Sequence, residues 1–207
     1  MKCLVTIYSE NPDSYMFHTV NIRWTKLQAM AMEIPIIIQR TAGIKEEELE
    51  DLKKALIKAK NEFGIKGVIS GAIASFYQKS RIERASSQVG LRSIAPFWGM
   101  NPADLIRKYL KIGMEIIFTG LFAAGFDESW LGRKLDRKAF NDLIRLNKKF
   151  KVDLCGEGGE FETFVTYAPN FTGRIKIVEA DKIWKGYWGV YLIKKAILEN
   201  KEKFKRI

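Results

Sequence analysis

The sequence contains few cysteines and histidines, which limits the chemistry it can support. Its two cysteines, Cys3 and Cys155, are too few for a disulfide framework or a zinc set. Its single histidine, His18, excludes a metal centre built on several histidines. We therefore predict no protein-built metal site, and a reducing, cytoplasmic location is the default expectation.

Long apolar runs are also lacking. No stretch of about 18 apolar residues occurs, so the sequence predicts no membrane span. The first eight residues alternate like a strand and lack the small-residue cleavage site of a secretory signal. A composition of 47% hydrophobic and 29% charged residues indicates instead a globular chain with a substantial core.

Acidic residues are outnumbered. The chain has 35 lysines and arginines against 24 acids, a formal net charge of +11. Such a balance favours an anionic partner, which could be nucleotide phosphates, RNA or an acidic protein. The densest basic block is the tail, residues 201–206, and frayed basic tails are common. Nucleic-acid binding therefore stays open as an alternative.

Strand and helix patterns alternate through the first 120 residues. Leucines at 49, 52 and 56 repeat at helical spacing, while β-branched and apolar runs predict strands at 3–8, 35–39, 66–70, 91–95 and 114–119. The alternation predicts an α/β fold in which these five strands form one largely parallel sheet with helices on both faces. Ligands bind such sheets at the carboxyl ends of strands. The positions there are Ser9, Glu10, 70–72 and Gly120.

The pattern changes after about residue 125. A helix capped by Asp136 precedes short strand-like runs at 175–178, 183–184 and 188–192, which suit an antiparallel layer. We predict two domains, a nucleotide-binding domain over 1–125 and a smaller α+β substrate-binding domain over 126–207.

An acidic, glycine-rich segment precedes a strand pattern near residue 160. Three carboxylates, Glu157, Glu160 and Glu162, fall within six residues, and glycines separate them. Clustered like charges repel, so such a loop often serves a positive ligand group, a metal or proton transfer. A solvated acidic turn is the alternative.

Five blocks resemble, in order, the diphthine–ammonia ligase family, whose members are ATP pyrophosphatases of the adenine-nucleotide alpha-hydrolase fold. The most family-specific block reads Gly156-Glu157-Gly158-Gly159-Glu160-Phe161-Glu162-Thr163. The other blocks are residues 9–19, residues 70–73 with 77–78 and 81–83, residues 96–99, and residues 125–133. The resemblance covers nearly the whole chain and implies a Rossmann-like, alpha-hydrolase-like parallel sheet.

The same resemblance implies a reaction. Diphthine on translation elongation factor two would be amidated to diphthamide, with ATP and Mg²⁺ as cofactors and ammonia as the nitrogen donor. ATP would convert the carboxylate of diphthine to an acyl-adenylate. The implied partners are the elongation factor and ammonia, with no membrane, and formation of a homo-oligomer stays open.

The resemblance also implies roles for individual residues. Glu160 and Glu157 would be catalytic, since a glutamate can deprotonate ammonium. The trimethylammonium of diphthine suits acids and aromatic faces, and we expect the acidic segment to face the same cleft as Ser70 and Gly71. The substrate-binding residues would be Gly158, Gly159, Glu162, Thr163 and Trp130. The nucleotide-binding residues would be Ser9, Glu10, Ser70, Gly71, Ala72, Gln78 and Arg81, with Lys79 and Arg133 as further candidates for phosphate charge.

One family feature is absent from the sequence. The family begins with a strand, a Ser-Gly-Gly-Lys-Asp-Ser loop that cradles pyrophosphate, and a helix. The 207 residues contain no such loop, and the strand at 3–8 corresponds to the family's second. Loss of the first strand would leave two open edges within the sheet. We expect weak or absent ATP hydrolysis by this chain; the alternatives are a non-catalytic nucleotide- or protein-binding relic and a basic domain related to RNA modification.

Overall fold

The computed structural model describes residues 1–11, 14 and 16–200. The chain divides into two compact units. The first comprises Met1–Ala29 and Ile34–Met100, and the second comprises Met30–Glu33 and Asn101–Ile207. The division therefore falls after residue 100, whereas the change of sequence pattern suggested residue 125.

The first unit contains two pairs of parallel strands. Strands β1 (Leu4–Ser9) and β2 (Ile36–Thr41) form one pair, and β3 (Gly67–Ile69) and β4 (Arg92–Ile94) form the other. The α/β fold class is thus confirmed. The prediction of a single sheet is wrong, because in the described residues the two pairs are separate two-stranded sheets.

Three helices alternate with these strands along the chain. They are α1 (Thr25–Met32), α2 (Glu48–Phe63) and α3 (Phe76–Gln88). Leu49, Leu52 and Leu56 of α2 are buried in one core with Ile7 of β1 and Ile37 of β2. The helical stripe read from the sequence is therefore confirmed as the buried face of α2.

The second unit combines two helices with an antiparallel sheet. Its elements are α4 (Pro102–Lys111), β5 (Glu115–Leu121), α5 (Arg137–Phe150), β6 (Phe161–Tyr167), β7 (Gly173–Trp184) and β8 (Gly189–Asn200). The strand order is β6-β5-β8-β7. The predicted antiparallel layer is confirmed, and the runs at 175–178 and 183–184 are parts of one long strand, β7.

Strand β5 was predicted to lie in the parallel sheet, and that prediction is wrong. It pairs antiparallel with both β6 and β8. Every residue of β5 from Ile116 onward is buried, and a continuous apolar run does not reveal strand direction. As a consequence Gly120 lies inside an antiparallel sheet opposite Glu162, so the expectation that it marks the ligand edge of a parallel strand is wrong.

The structure contains no candidate membrane span in its described part, because no helix there combines sufficient length with sufficient apolar character. The sequence expectation on this point agrees with that finding.

Candidate functional site

The carboxyl ends of β1 and β2 are tied together by hydrogen bonds. Ser9 is buried, and its hydroxyl donates to the carbonyl of Asn11 at 3.0 Å. The Asn11 amide donates to the carbonyl of Gly43 at 3.1 Å, and the backbone N–H of Glu10 donates to Thr41 at 2.9 Å. Glu10 itself is exposed, with Arg40 at 3.8 Å. Two predicted nucleotide-binding residues thus lie at the predicted strand edge, and Ser9 is held there by its neighbours.

Gly43 permits this close approach. It has a φ of +74°, which disfavours any residue with a Cβ. A Cβ added there would lie 2.4 Å from the Ser9 hydroxyl oxygen and 2.4 Å from the Asn11 Cβ. The loop after β2 therefore requires glycine for both conformation and space.

The loop after β3 holds the second group of predicted nucleotide-binding residues. The backbone N–H of Ser70 donates to the carbonyl of Ile94 at 3.0 Å. The Ser70 hydroxyl is buried and has no hydrogen-bond partner among the residues that the structure describes. Gly71 is exposed and Ala72 is buried. A buried hydroxyl beside an open glycine can receive a polar ligand group.

Arg81 of α3 contacts the loop that follows β2. Its guanidinium pairs with the Glu46 carboxylate and lies 3.5 Å from the centre of the Tyr77 ring. The hydrogen bond from Arg81 holds the pKa of Glu46 below its usual value. The Arg81 Nε is buried without a partner in the described part of the chain. Arg81 is therefore fixed in place while one donor remains available.

The blocks at 70–83 and 96–99 pack together. The backbone N–H of Gly99 donates to the carbonyl of Ile73 at 2.9 Å. The Lys79 ammonium lies 5.0 Å from the Trp98 ring and 2.5 Å from a Glu83 carboxylate oxygen. These contacts turn two separated sequence blocks into one local structure. Gln78, the remaining predicted nucleotide-binding residue, is half-buried in the first turn of α3, where its backbone N–H donates to Ser75.

The block at 9–19 is attached to the start of α2. The Ser14 hydroxyl donates at 2.5 Å to the buried carboxylate of Glu48 and accepts from the backbone N–H of Phe17 at 3.1 Å. His18 is exposed. Pro12, Asp13 and Tyr15 of this block lie outside the described residues. The loops after β1 and β2 are thus connected through Asn11 with Gly43, and Glu46 of the loop after β2 pairs with Arg81 of α3.

In the second unit, the acidic segment forms a turn held by its own carboxylates. The two oxygens of Glu160 accept from the backbone N–H groups of Asp153 at 3.0 Å and Gly158 at 2.9 Å. The Asp153 carboxylate accepts in turn from the N–H groups of Cys155 at 2.8 Å and Glu157 at 3.2 Å. These two acids accept four backbone hydrogen bonds in and beside the turn.

Glycines give this turn its shape. Gly156 and Gly159 have φ values of +73° and +81°. A Cβ on Gly156 would lie 2.8 Å from the carbonyl oxygen of Phe161. Gly158 and Gly159 are exposed, so the turn presents bare backbone to its surroundings. This arrangement can admit another molecule close to the main chain.

The remaining predicted substrate residues follow the turn on β6. Glu162 is half-buried opposite Gly120, and Thr163 is exposed opposite Phe118. Glu157 is half-buried. The acidic segment therefore offers side chains on both the turn and the first residues of a strand, as the alternating pattern predicts.

An aromatic cluster joins the block at 125–133 to the acidic segment. The Trp130 ring lies 5.0 Å from Phe118 and 5.1 Å from Phe126, and Phe126 lies 5.8 Å from Phe161. Trp130 is only 5% exposed, and the guanidinium of Arg133 lies 4.4 Å from its ring. Trp130 supports the acidic turn as part of the core, and a direct contact between Trp130 and substrate stays a prediction.

Arg133 has protein partners in addition to Trp130. Its guanidinium donates to Asp142 at 2.5 Å and holds the pKa of that carboxyl below its usual value. Arg81, Lys79 and Arg133 thus each form an ion pair with a carboxylate. Of the three, Arg81 retains a buried donor without a protein partner in the described part of the chain.

Cys155 is a structural thiol in this environment. Burial, followed by the nearby Asp153 and Glu157 carboxylates, raises the pKa of Cys155 to about 12. Its sulfur lies 3.8 Å from the carbonyl oxygen of Pro102 at the start of α4. The group therefore stays protonated at neutral pH and is a poor nucleophile.

Sequence reasoning missed several residues that build these sites. Asp153 and Gly43 shape the two loops, and Glu46 positions Arg81. Tyr109 of α4 was also missed; burial, followed by its neighbours Cys155 and Glu157, raises its pKa. An aspartate two residues before Cys155 is a typical signal of a side chain that bonds nearby backbone, so Asp153 was identifiable. The others depend on distant contacts.

Two family models match this chain. The Diphthamide synthase N-terminal domain matches residues 1–93, and the Diphthamide synthase C-terminal domain matches residues 101–198. The break between these matches agrees with the division of the structure after residue 100.

Curated proteins named diphthine–ammonia ligase are similar along most of the chain. The Homo sapiens protein is 33% identical over 187 residues, covering 84% of this chain and 69% of that protein. The Danio rerio protein is 33% identical over 181 residues, covering 82% and 71%. The Schizosaccharomyces pombe protein is 29% identical over 208 residues, covering 94% of this chain and 34% of that protein. The chain belongs to the diphthine–ammonia ligase family, a family of diphthamide biosynthesis.

Proposed function

We propose that this protein catalyses the ATP-dependent amidation of diphthine on translation elongation factor two, with ammonia as nitrogen donor. The substrate carboxylate would attack the α-phosphorus of ATP, releasing pyrophosphate and forming an acyl-adenylate. Ammonia would then displace AMP and leave the amide. Membership of the family supports the ligase class, and a cytoplasmic location belongs to the same proposal.

The acidic turn is the observation that carries the proposal. Asp153 and Glu160 fix the turn's backbone, while Gly158 and Gly159 are exposed beside the half-buried Glu157. A fixed negative turn suits the permanent cation of diphthine, because it need not reorganise when the cation arrives. In this proposal Glu157 accepts the proton from ammonium, and Glu160 acts mainly by holding the turn. Glu162 and Thr163 contact the substrate.

The loops of the first unit fit a nucleotide. The Ser70 hydroxyl and the Arg81 Nε are buried polar atoms without partners among the described residues. We propose that Ser70 hydrogen-bonds the nucleotide and that Arg81 directs its remaining donor at a phosphate, with Gly71 allowing close approach. Ser9, Glu10, Ala72 and Gln78 complete the proposed nucleotide contacts.

Mg²⁺ would accompany the phosphates in this proposal. No group of three potential ligands among histidine, cysteine, aspartate and glutamate occurs within residues 1–11, 14 and 16–200. Mg²⁺ commonly binds through substrate phosphates and water with only one or two carboxylates. The chain's own contribution is then positive charge and hydrogen-bond donors rather than a metal cage.

Release of AMP and pyrophosphate tests the proposal. The assay uses the chain extended at its start by a strand, a Ser-Gly-Gly-Lys-Asp-Ser loop and a helix. Both products should form when this extended chain receives ATP, ammonium and elongation factor two that carries diphthine, and neither should exceed background with a factor whose histidine is unmodified. Phosphate release in place of pyrophosphate would contradict the adenylate route. Equal release with both forms of the factor would contradict diphthine as the substrate.

A further inference from the structure

A groove separates α4 from α5 in the second unit. It encloses about 610 Å³, which lies in the range of ligand-binding clefts. It is lined by Arg107, Leu110 and Lys111 of α4 and by Arg137, Phe140 and Asn141 of α5. None of these six residues takes part in the proposed amidation site.

The groove has a basic rim and an apolar base. Three of its six lining residues are cations, and none is acidic. Phe140 is 6% exposed and Leu110 is half-buried, whereas Lys111 and Arg137 are exposed. The Arg107 guanidinium lies 5.6 Å from the Phe140 ring. A molecule in the groove would meet positive charge at its edges and hydrocarbon beneath.

Neighbouring carboxylates are engaged with other groups. Asp142 pairs with Arg133 at 2.5 Å and with Arg145 at 2.9 Å. Asp136 accepts from the backbone N–H of Ala139 at 2.7 Å as the cap of α5. Within the part of the chain that the structure describes, the one carboxylate paired with a groove cation is Asp104, which lies 2.6 Å from Arg107. Lys111 and Arg137 therefore dominate the charge of the rim.

We propose that this groove binds an acidic segment of a protein partner, with carboxylates against Lys111 and Arg137 and an apolar side chain over the half-buried Leu110. Single-stranded RNA is disfavoured because its bases need exposed aromatic faces to stack on, and Phe140 is nearly fully buried. A second copy of the chain is disfavoured because two chains of net charge +11 repel each other. An acidic polypeptide can pair its carboxylates with the cations of the rim and pack an apolar side chain on the base of the groove.

Fluorescence anisotropy with defined probes tests the proposal. The first probe is a labelled peptide of Glu-Glu-Leu repeats, the second its Gln-Gln-Leu counterpart, and the third a labelled oligouridine of similar length. Lys111→Gln combined with Arg137→Gln removes two rim charges. The matched control combines Lys182→Gln with Lys185→Gln, which removes two exposed charges on or next to β7.

The acidic peptide should bind the wild-type chain, and the groove variant should weaken that binding by about tenfold or more. The control variant should change it by less than about twofold. Equal weakening by both variants would show attraction to overall charge and overturn the proposal. Absence of peptide binding, or tighter groove-dependent binding of oligouridine, would also overturn it. Circular dichroism of both variants verifies that they are folded.

Discussion

The Glu160 carboxylate accepts a 3.0 Å hydrogen bond from the backbone N–H of Asp153. Its other oxygen accepts from Gly158 at 2.9 Å. The residue that the family resemblance marks as catalytic is therefore also a structural element of the turn. The structural and the catalytic contributions of Glu160 can be distinguished only if stability and activity are measured on the same variants.

Replacing Glu160 by Gln should lower the free energy of unfolding by about 1–2 kcal/mol. Glutamine keeps one acceptor oxygen but directs an amide NH₂ group toward the second backbone donor, which leaves that donor unsatisfied. Urea denaturation provides the measurement, with exposed Glu179→Gln on β7 as the control, expected within about 0.5 kcal/mol of wild type. A Glu160 variant as stable as that control would show that these hydrogen bonds do not hold the turn.

Replacing Glu157 by Gln should reduce amidation by about tenfold or more, because loss of a general base typically costs at least that much. The assay uses a chain extended at its start by a strand, a Ser-Gly-Gly-Lys-Asp-Ser loop and a helix. The affinity for ATP should stay within about twofold, and Glu179→Gln again provides the control. Equal losses of ATP affinity and amidation would remove Glu157 from the substrate site.

Replacing Gly43 by Ala should destabilise the protein more than replacing Gly64 by Ala. Both glycines have positive φ values, +74° and +61°. A Cβ at Gly43 overlaps Ser9 and Asn11, whereas a Cβ at Gly64 meets nothing within 4 Å. We expect about 1 kcal/mol from backbone strain at Gly64 and about 1–3 kcal/mol more from overlap at Gly43. Equal losses in thermal or urea denaturation would show that the loop relaxes around the new methyl group.

Replacing Arg81 by Gln should raise the pKa of Glu46 toward its ordinary value, since the Arg81 hydrogen bond is the main cause of its lowering. A lowered folded-state pKa stabilises the protein at neutral pH, and that contribution is lost as pH falls through the folded-state value. The variant should therefore lose less stability than wild type on acidification. NMR titration of the side-chain carboxyls measures the Glu46 pKa in the wild type and in the variant.

Asp142 provides the internal control for that titration. Its pKa is lowered by Arg133 in the second unit and should not change in the Arg81 variant. A Glu46 pKa that does not move, or a parallel shift of Asp142, would contradict the assigned ion pair.

Local patterns predicted most of the helices and strands because their causes are local. Leu49, Leu52 and Leu56 repeat at helical spacing, and these residues form the buried face of α2. Asn101 followed by Pro102 is a typical helix start, and α4 begins there, with the Asn101 side chain accepting from Ala103 at 2.9 Å. Such features require only a few neighbouring residues.

Strand pairing could not be predicted in the same way. Ile116 and Phe118 indicate a buried strand, but the partner residues Val165 and Thr163 lie more than forty positions later in the chain. The sequence could place β5 in a sheet without revealing that the sheet is antiparallel. Pairing of distant segments depends on the whole fold.

The sequence blocks of the candidate site are in contact in the structure, whereas the binding and catalytic roles of their residues stay predictions. The blocks containing Ser70 and Gly99 are in contact, as are the blocks containing Trp130 and Phe161 through the cluster around Phe118. Glu160 holds the turn because Gly156 and Gly159 adopt positive φ angles. The amino-acid sequence does not specify that backbone conformation. The predicted cleft shared by the acidic segment and the Ser70 loop stays a prediction.

Mass spectrometry of elongation factor two tests the central claim most directly. The factor carrying diphthine is incubated with ATP, Mg²⁺ and ¹⁵N-labelled ammonium, with either the 207-residue chain or the extended chain that carries a phosphate loop. The extended chain should incorporate one ¹⁵N into the diphthine carboxyl, in proportion to the AMP released, while the 207-residue chain should yield little. Absence of labelled amide with the extended chain, together with normal folding and ATP binding, would contradict the proposed ligase.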